Sequence, residues 1–388
     1  MFAALDLGPS AEACMNAPTS RLPELFRFFS RLGLTAFGGP AAHIALMEHE
    51  AVERRRWLSR EQFLDLVGAC NLLPGPSSTQ VAMALGYTRA GWPGLSIAGA
   101  CFIVPAALAT LALAWAYVHY GSLPQAQGVL YGAKPVMIAI IAQAIWRLGH
   151  MALRRWLLAG IGVACFAAVL AGTQPLVALL AAGALPALLV AARRMQGRRA
   201  RSIALLPLAM SAAPVSAGLG SIALVFLKLG VVVFGSGYVL LAFLQADLVD
   251  RLHWVTQAQL LDAVTAGQVT PGPVFATATF LGYLLHGYSG ALVATAAIFL
   301  PSFVMAGVVG ALASRLRKSP LAAAFLDGVN AGAIALMATV TISLGRATLI
   351  DAPTWGIALM SALLLIRFRI NATWLIVAGS VLGVIIKH

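Results

Sequence analysis

Between Arg89 and Lys134 the chain carries no Asp, Glu, Lys or Arg, and between Asp262 and Arg315 it carries none again. A helix crossing a bilayer needs about 20 mostly apolar residues at a rise of about 1.5 Å each. Each of these runs therefore holds one or two spans. The rest of the chain agrees: 60% of its 388 residues are hydrophobic and only 10% are charged, against about 25% charged in a soluble domain. The expected fold class is an all-α polytopic membrane protein with the lipid bilayer as its solvent. The net charge of +13 would suggest nucleic acid on a soluble protein. Here the basic residues stand in short gaps between apolar runs, as cytoplasmic loops do, so no nucleic-acid partner is expected.

The chain is also a duplication. Sliding it along itself aligns Arg31–Pro76 with Lys228–Pro273 without a gap. The identities include Leu32/Leu229, Gly33/Gly230, Phe37/Phe234, Gly38/Gly235, Arg54/Arg251, Trp57/Trp254, Gln62/Gln259 and Asp65/Asp262, and end on Pro74-Gly75-Pro76 over Pro271-Gly272-Pro273. One deletion later, Gly86/Gly282, Gly91/Gly287, Pro105/Pro301 and Gly132/Gly328 align. Apolar composition mimics weak similarity, but it does not place Trp, Asp and Pro-Gly-Pro in register. Four units follow: a flexible tail, 1–21, without the basic start of a signal peptide; a first repeat, 22–192; a basic linker, 193–218; and a second repeat, 219–388.

Each repeat reads as an interrupted segment (22–47 in the first), a pair of short segments split by Pro-Gly-Pro (62–73 and 77–88), and four ordinary spans. Five crossings per repeat give about ten transmembrane helices plus two short helical hairpins. An odd number of crossings also makes the second copy inverted. The charges fit that inversion. Basic residues crowd 52–60, 147–155 and 193–201 in the first repeat, but in the second they crowd the places where the first has none, at Arg315, Arg317, Lys318, Arg367 and Arg369. By the positive-inside rule these loops are cytoplasmic, which puts both termini outside the cytoplasm.

Inverted repeats with broken helices mark transporters, and the breaks point to the site. Gly38-Gly39-Pro40 and Gly235-Ser236-Gly237 interrupt one helix of each copy, and the two Pro-Gly-Pro motifs interrupt another. Proline removes a backbone donor and glycine permits the turn. The helix after each break aims unpaired N–H groups and a positive dipole end at the gap, which suits an oxyanion. Ser77 and Ser78 add hydroxyls in the first copy, where the second has Val274 and Phe275. Asn71 and Gln268, just before the turns, are further candidates to line the site. Each break has an alternative reading as a kink that serves packing alone. Asp65 and Asp262 are candidate proton carriers or, alternatively, structural ion pairs, because charges inside membrane segments are expensive. Lys134, with Asn330 as its counterpart, either attracts an anion or snorkels to the interface. The four cysteines form no metal-ligand pair, and no nucleotide-binding loop or hydrolase motif occurs. Neither a metal, a cofactor nor an enzymatic activity is expected.

The string from Arg31-Leu32-Gly33-Leu34 through Phe37-Gly38-Gly39-Pro40 and Arg55-Arg56-Trp57-Leu58-Ser59 to Leu72-Leu73-Pro74-Gly75-Pro76 resembles the chromate ion transporter (CHR) family, long-chain two-domain type. The resemblance implies a multi-pass protein of the cell inner (plasma) membrane that exports chromate and confers resistance, with sulfate as the isosteric relative. The partners implied are a chromate or sulfate oxyanion; a homodimer stays open. The alternatives are a carrier of sulfate or another anion, or a lipid-handling protein whose hairpins face lipid. Reporter fusions at Gly121 and Ser319 are expected to report opposite sides of the membrane, as inversion requires.

Overall fold

The computed structural model describes residues 21–195, 216–317 and 320–387, apart from positions 38, 72, 154, 235, 236, 238 and 369. Seven helices build each half. The first has α1 Leu22–Thr35, α2 Gly39–Glu48, α3 Arg60–Cys70, α4 Ser77–Tyr120, α5 Pro124–Ala152, α6 Trp156–Leu170 and α7 Pro175–Met195. The second repeats them as α8 Leu219–Val232, α9 Val239–Leu244, α10 Gln257–Val269, α11 Thr277–Arg317, α12 Pro320–Thr348, α13 Ala352–Arg367 and α14 Ala372–Lys387. Local chemistry repeats as well. Ser59 and Thr256 close matching capping boxes with Gln62 and Gln259 at the starts of α3 and α10, which satisfies two orphan donors at each helix end. A single π-helical turn extends α2 (His49–Arg54) and α9 (Gln245–Arg251), so the stretch after Glu48 is helical further than its polarity suggests.

The long helices α4 and α11 each contain a reversal. Ala90-Gly91 and His286-Gly287 leave the helical region, with both glycines at φ 60. The arms on either side touch: a Cβ on Gly86 would lie 2.3 Å from the Gly94 carbonyl, and one on Gly282 would lie 2.3 Å from that of Gly290. Thus α3 enters, Pro-Gly-Pro turns the chain, and the first arm of α4 returns to the face from which α3 came. The sequence expectation of a short hairpin is met here.

The segment 22–47 behaves differently from its expectation as a crossing. Glu24, at the start of α1, holds Arg55 at 3.0 Å, Trp57 at 3.3 Å and Arg89 at 3.4 Å. The start of α1, the end of α2's π turn and the tip of the α4 hairpin therefore share one face, and α1–α2 forms a V with its apex at the Gly39 break. Among the described residues five helices are long and apolar enough to cross a membrane, namely α4, α5, α7, α11 and α12, and the segment 22–47, expected as one interrupted crossing, folds back on itself as a pair. Residue 21, bonded to the Arg89 carbonyl, lies at this basic face. Residue 387 lies at the other, where Lys387 sits over the ring of Tyr131 and Tyr131 bonds Asp351 at 2.6 Å. Residues 21 and 387 therefore lie at opposite ends of the helix bundle.

Inversion is visible directly. Tyr117, far along α4 from Arg89, bonds Asp262 near the start of α10, while Gly307 near the end of α11 packs on Trp92 just past the α4 reversal. The halves are interleaved rather than side by side. Helix α5 packs on α14, and its repeat α12 packs on α7, both through small residues. A Cβ on Gly132 would lie 1.8 Å from the Gly379 carbonyl, and one on Gly328 would lie 2.1 Å from that of Ala182. Without a hydrophobic drive in lipid, such close backbone approach supplies much of the association energy. Gly132→Leu is expected to lower stability by about 1–3 kcal/mol through overpacking, read as an earlier thermal transition of the detergent-solubilised protein, whereas the same change at Gly160, whose Cβ would meet nothing within 4 Å, is expected to be neutral.

Candidate functional site

Breaking a helix inside a membrane frees backbone groups that must find partners. Here each half supplies them to the other. The Gly75 N–H donates to the Val233 carbonyl at 2.6 Å, and the Gly272 N–H donates to the Ala36 carbonyl at 2.9 Å. These are equivalent bonds, since Val233 and Ala36 occupy matching places before the two Phe-Gly breaks. The bridge between Pro74 and Phe234 is part of the same contact. Both loop glycines hold positive φ, 117 at Gly75 and 94 at Gly272, a region that side chains disfavour. Across the halves, Pro74 and Gly75 meet Val233 and Phe234, and Gly272 meets Ala36, while Gly237 lies beside Val274 of its own half. Gly38, Gly235 and Ser236 lie outside the described residues.

The two gaps share a backbone and differ in chemistry. After Pro76 the first arm of α4 begins with Ser77, Ser78, Thr79 and Gln80, all buried. Gln80 donates its amide to the Pro74 carbonyl at 2.5 Å. The missing side chain of Gly75 leaves a hollow: a Cβ there would lie 2.6 Å from Gln80 Nε2 and 2.8 Å from Ser302 Oγ. Three oxygens here are buried without a protein hydrogen bond, namely Thr79 Oγ1, Gln80 Oε1 and Ser302 Oγ. Ser302 comes from α11 of the other half and is fully buried. His43, also fully buried, reaches Ser78 Oγ at 3.4 Å and the Ala36 carbonyl at 3.1 Å. In the second gap Val274, Phe275 and Ala276 are buried where the hydroxyls would be, and Gly272 faces Ala106 Cβ and the Phe102 carbonyl. Its polar groups sit to one side: Thr270 meets Thr110 at 3.2 Å, and Gln268 Nε2 is buried without a partner. Asn71, the counterpart of Gln268, is exposed at the end of α3.

A second polar group joins the halves. Lys134 Nζ lies 3.1 Å from Asp262 Oδ1, and the Tyr117 hydroxyl donates to Oδ2 at 3.1 Å. Asp262 is buried at 3% exposure, and Lys134 is 22% exposed. Lys134 was a candidate to attract an anion; its charge is instead matched by a carboxylate, because α5 runs beside α10. Asp262 sits in the wall of a mostly apolar cavity of about 600 Å³, with Leu113, Val129, Phe280, Ile376 and Val381 among its walls and Tyr117, Thr265 and Ser380 as further polar ones. Asp65 is exposed on α3, so the paired aspartates of the repeat have different environments. Sequence reading missed Gln80, Ser302 and Tyr117. The available signal for Ser302 was its replacement of Ala106 beside the matched Pro105/Pro301.

Removing one partner of a buried pair leaves the other charge uncompensated. Asp262→Asn is expected to cost about 3 kcal/mol, the low end for such pairs because Lys134 is partly exposed. Adding Lys134→Met is expected to recover most of it in a double-mutant cycle of thermal stability.

Comparison with known proteins agrees with this architecture. The family model for chromate transporters matches twice, at residues 23–187 and 220–384. A chromate transport protein of Cupriavidus metallidurans is 34% identical over 96% of this chain and 95% of its own length. A probable chromate transport protein of Synechococcus elongatus is 34% identical over 89% of this chain and 90% of its own. A chromate transport protein of Pseudomonas aeruginosa is 32% identical over 94% and 92%. No solved structure matches significantly. With two matched copies and full-length relatives on the same plan, this multi-pass membrane chain belongs to the chromate transporter family.

Proposed function

We propose that the chain is a secondary transporter that exports chromate, a sulfate-like dianion, across the plasma membrane and so confers chromate resistance. The observation that carries this reading is the first gap: a helix N-terminus within the protein, opened by Pro-Gly-Pro and faced by buried hydroxyl and amide groups from both halves. Backbone N–H groups and the helix dipole suit negative charge, and hydroxyls donate to oxyanion oxygens. No Lys or Arg ligates this gap among the described residues. Recognition by neutral donors favours a compact anion that accepts hydrogen bonds on all sides, as a tetrahedral oxyanion does. The relatives' names as chromate transport proteins support the same substrate.

Ser77, Ser78, Thr79 and Gln80 take most of the contacts in this reading, with Ser302 and the hollow at Gly75 completing them. The second gap, closed by Val274 and Phe275, serves as the structural counterpart. The basic face is cytoplasmic in this reading. An inside-negative potential of about 100 mV is worth about 2.3 kcal/mol per charge, about 4.6 kcal/mol for a dianion, in favour of export. A lipid-handling role fits less well, because the hairpin arm from Ser77 to Gly86 is buried in protein rather than turned to lipid.

Inside-out vesicles are expected to take up labelled chromate and sulfate with saturable, potential-sensitive kinetics. Ser302→Ala is expected to raise KM about tenfold, the loss of one hydrogen bond to a charged group. Absence of saturable flux for both anions would overturn the reading.

A further inference from the structure

His43 stands one turn into α2, fully buried, with its ring edge-on to Phe102 at 5.3 Å. Its two nitrogens have unlike neighbours. Nε2 faces the Ala36 carbonyl at 3.1 Å. A carbonyl only accepts, so Nε2 carries a hydrogen. Nδ1 faces Ser78 Oγ at 3.4 Å. In the neutral ring Nδ1 is then bare, and Ser78 must donate its one hydroxyl hydrogen to it. That leaves Ser78 presenting lone pairs to the gap, which repels an oxyanion. When Nδ1 gains a proton the bond reverses: the ring donates to Ser78 Oγ, and the hydroxyl hydrogen turns free to donate into the gap.

We propose that His43 is the proton-coupling group of this transporter, a positioning residue that takes up one proton for each oxyanion bound and acts through Ser78. The inference rests on the reading that the gap at Ser77–Gln80 binds a tetrahedral dianion. The proton enters from the water on the side where the anion loads, and it leaves when the anion does. Net movement is then one negative charge per cycle, so an inside-negative potential still favours exit. The second half lacks the device, having Leu240 in place of His43 and Phe275 in place of Ser78.

The charges on the elements around α2 are engaged elsewhere. Glu48 pairs with Arg60, Glu50 with Arg54 and Arg55, and Glu24 with Arg55 and Arg89. Glu61 and Asp65 on α3 are exposed, and across the halves Asp262 pairs with Lys134. The ring's own bonds are to Ser78 and Ala36. Ala36 is also the carbonyl that accepts the Gly272 N–H from the other half. The proton therefore arrives at a group that hangs on the contact between the repeats.

The test uses the purified full chain in proteoliposomes with radiolabelled sulfate, which stays a dianion across the range used, unlike chromate. Wild-type KM is expected to rise by up to about tenfold per pH unit as pH increases from about 5.5 to about 8, the slope for one linked proton. A pH dye inside the vesicles is expected to report protons moving with sulfate. His43→Gln keeps an amide donor for Ala36 and is expected to flatten the KM profile and abolish proton movement. Ser78→Ala, a smaller change, is expected to flatten the profile too, and it decides the matter if His43→Gln does not fold. A wild-type-like pH profile with coupled protons in either folded variant overturns the role of His43 and leaves the anion site standing. A wild-type protein that carries neither sulfate nor chromate overturns the anion site itself.

Discussion

Everything in this molecule depends on where broken backbone finds its hydrogen bonds. Lipid supplies none. A chain that interrupts four helices inside the membrane must therefore close the account within itself. It does so by exchange. The loop of the first repeat bonds the break of the second, and the reverse holds with the same residues in matching places. Neither repeat is self-sufficient in this respect. That requirement brings the two loops to the opposite half's breaks at the centre, and its reciprocity is that of a two-fold relation between the copies.

Symmetry of the backbone does not extend to the side chains. The exchange is conserved between halves while the lining is not: hydroxyls and an amide on one side, Val274 and Phe275 on the other. The same division of labour recurs at the faces. In the first half Glu24, Arg55 and Arg89 tie the mouth of the V to the hairpin tip. In the second, the corresponding V is held deeper, by Asp247 between Lys228 and Arg251. At the basic face partial burial would raise the Glu50 carboxyl, but the adjacent Arg54 and Arg55 overcome this and hold it below its usual value. One half thus keeps its charges at the membrane surface, and the other keeps a charged cluster nearer its core.

Much of this was legible in the sequence because rare residues carried it. Trp57/Trp254, Asp65/Asp262 and the two Pro-Gly-Pro motifs stand out against an apolar background, so duplication and breaks could be read, and loop arginines gave the inversion. The fold-back of α1 and α2 was not legible. Hydropathy measures how much apolar chain there is, not whether it turns at Gly39 and returns. The pairing of Lys134 with Asp262 joins residues from different repeats, and no local pattern announces such a contact. Ser302 is one of several hydroxyls in a mostly apolar helix, and its position matters because Gly75 of the other half leaves a hollow beside it.

The reciprocal bonds have a consequence for how the chain is made. Ribosomes deliver the first repeat well before the second, and domains generally fold as they emerge. The Gly75 N–H and the Ala36 carbonyl cannot meet Val233 and Gly272 until those residues have been inserted. The first repeat must therefore wait in the membrane with its central loop unfinished, its freed backbone served by water or by the insertion machinery. Contacts this distant along the chain form late. The centre of the molecule, where the site lies, is on this account the last part to take shape.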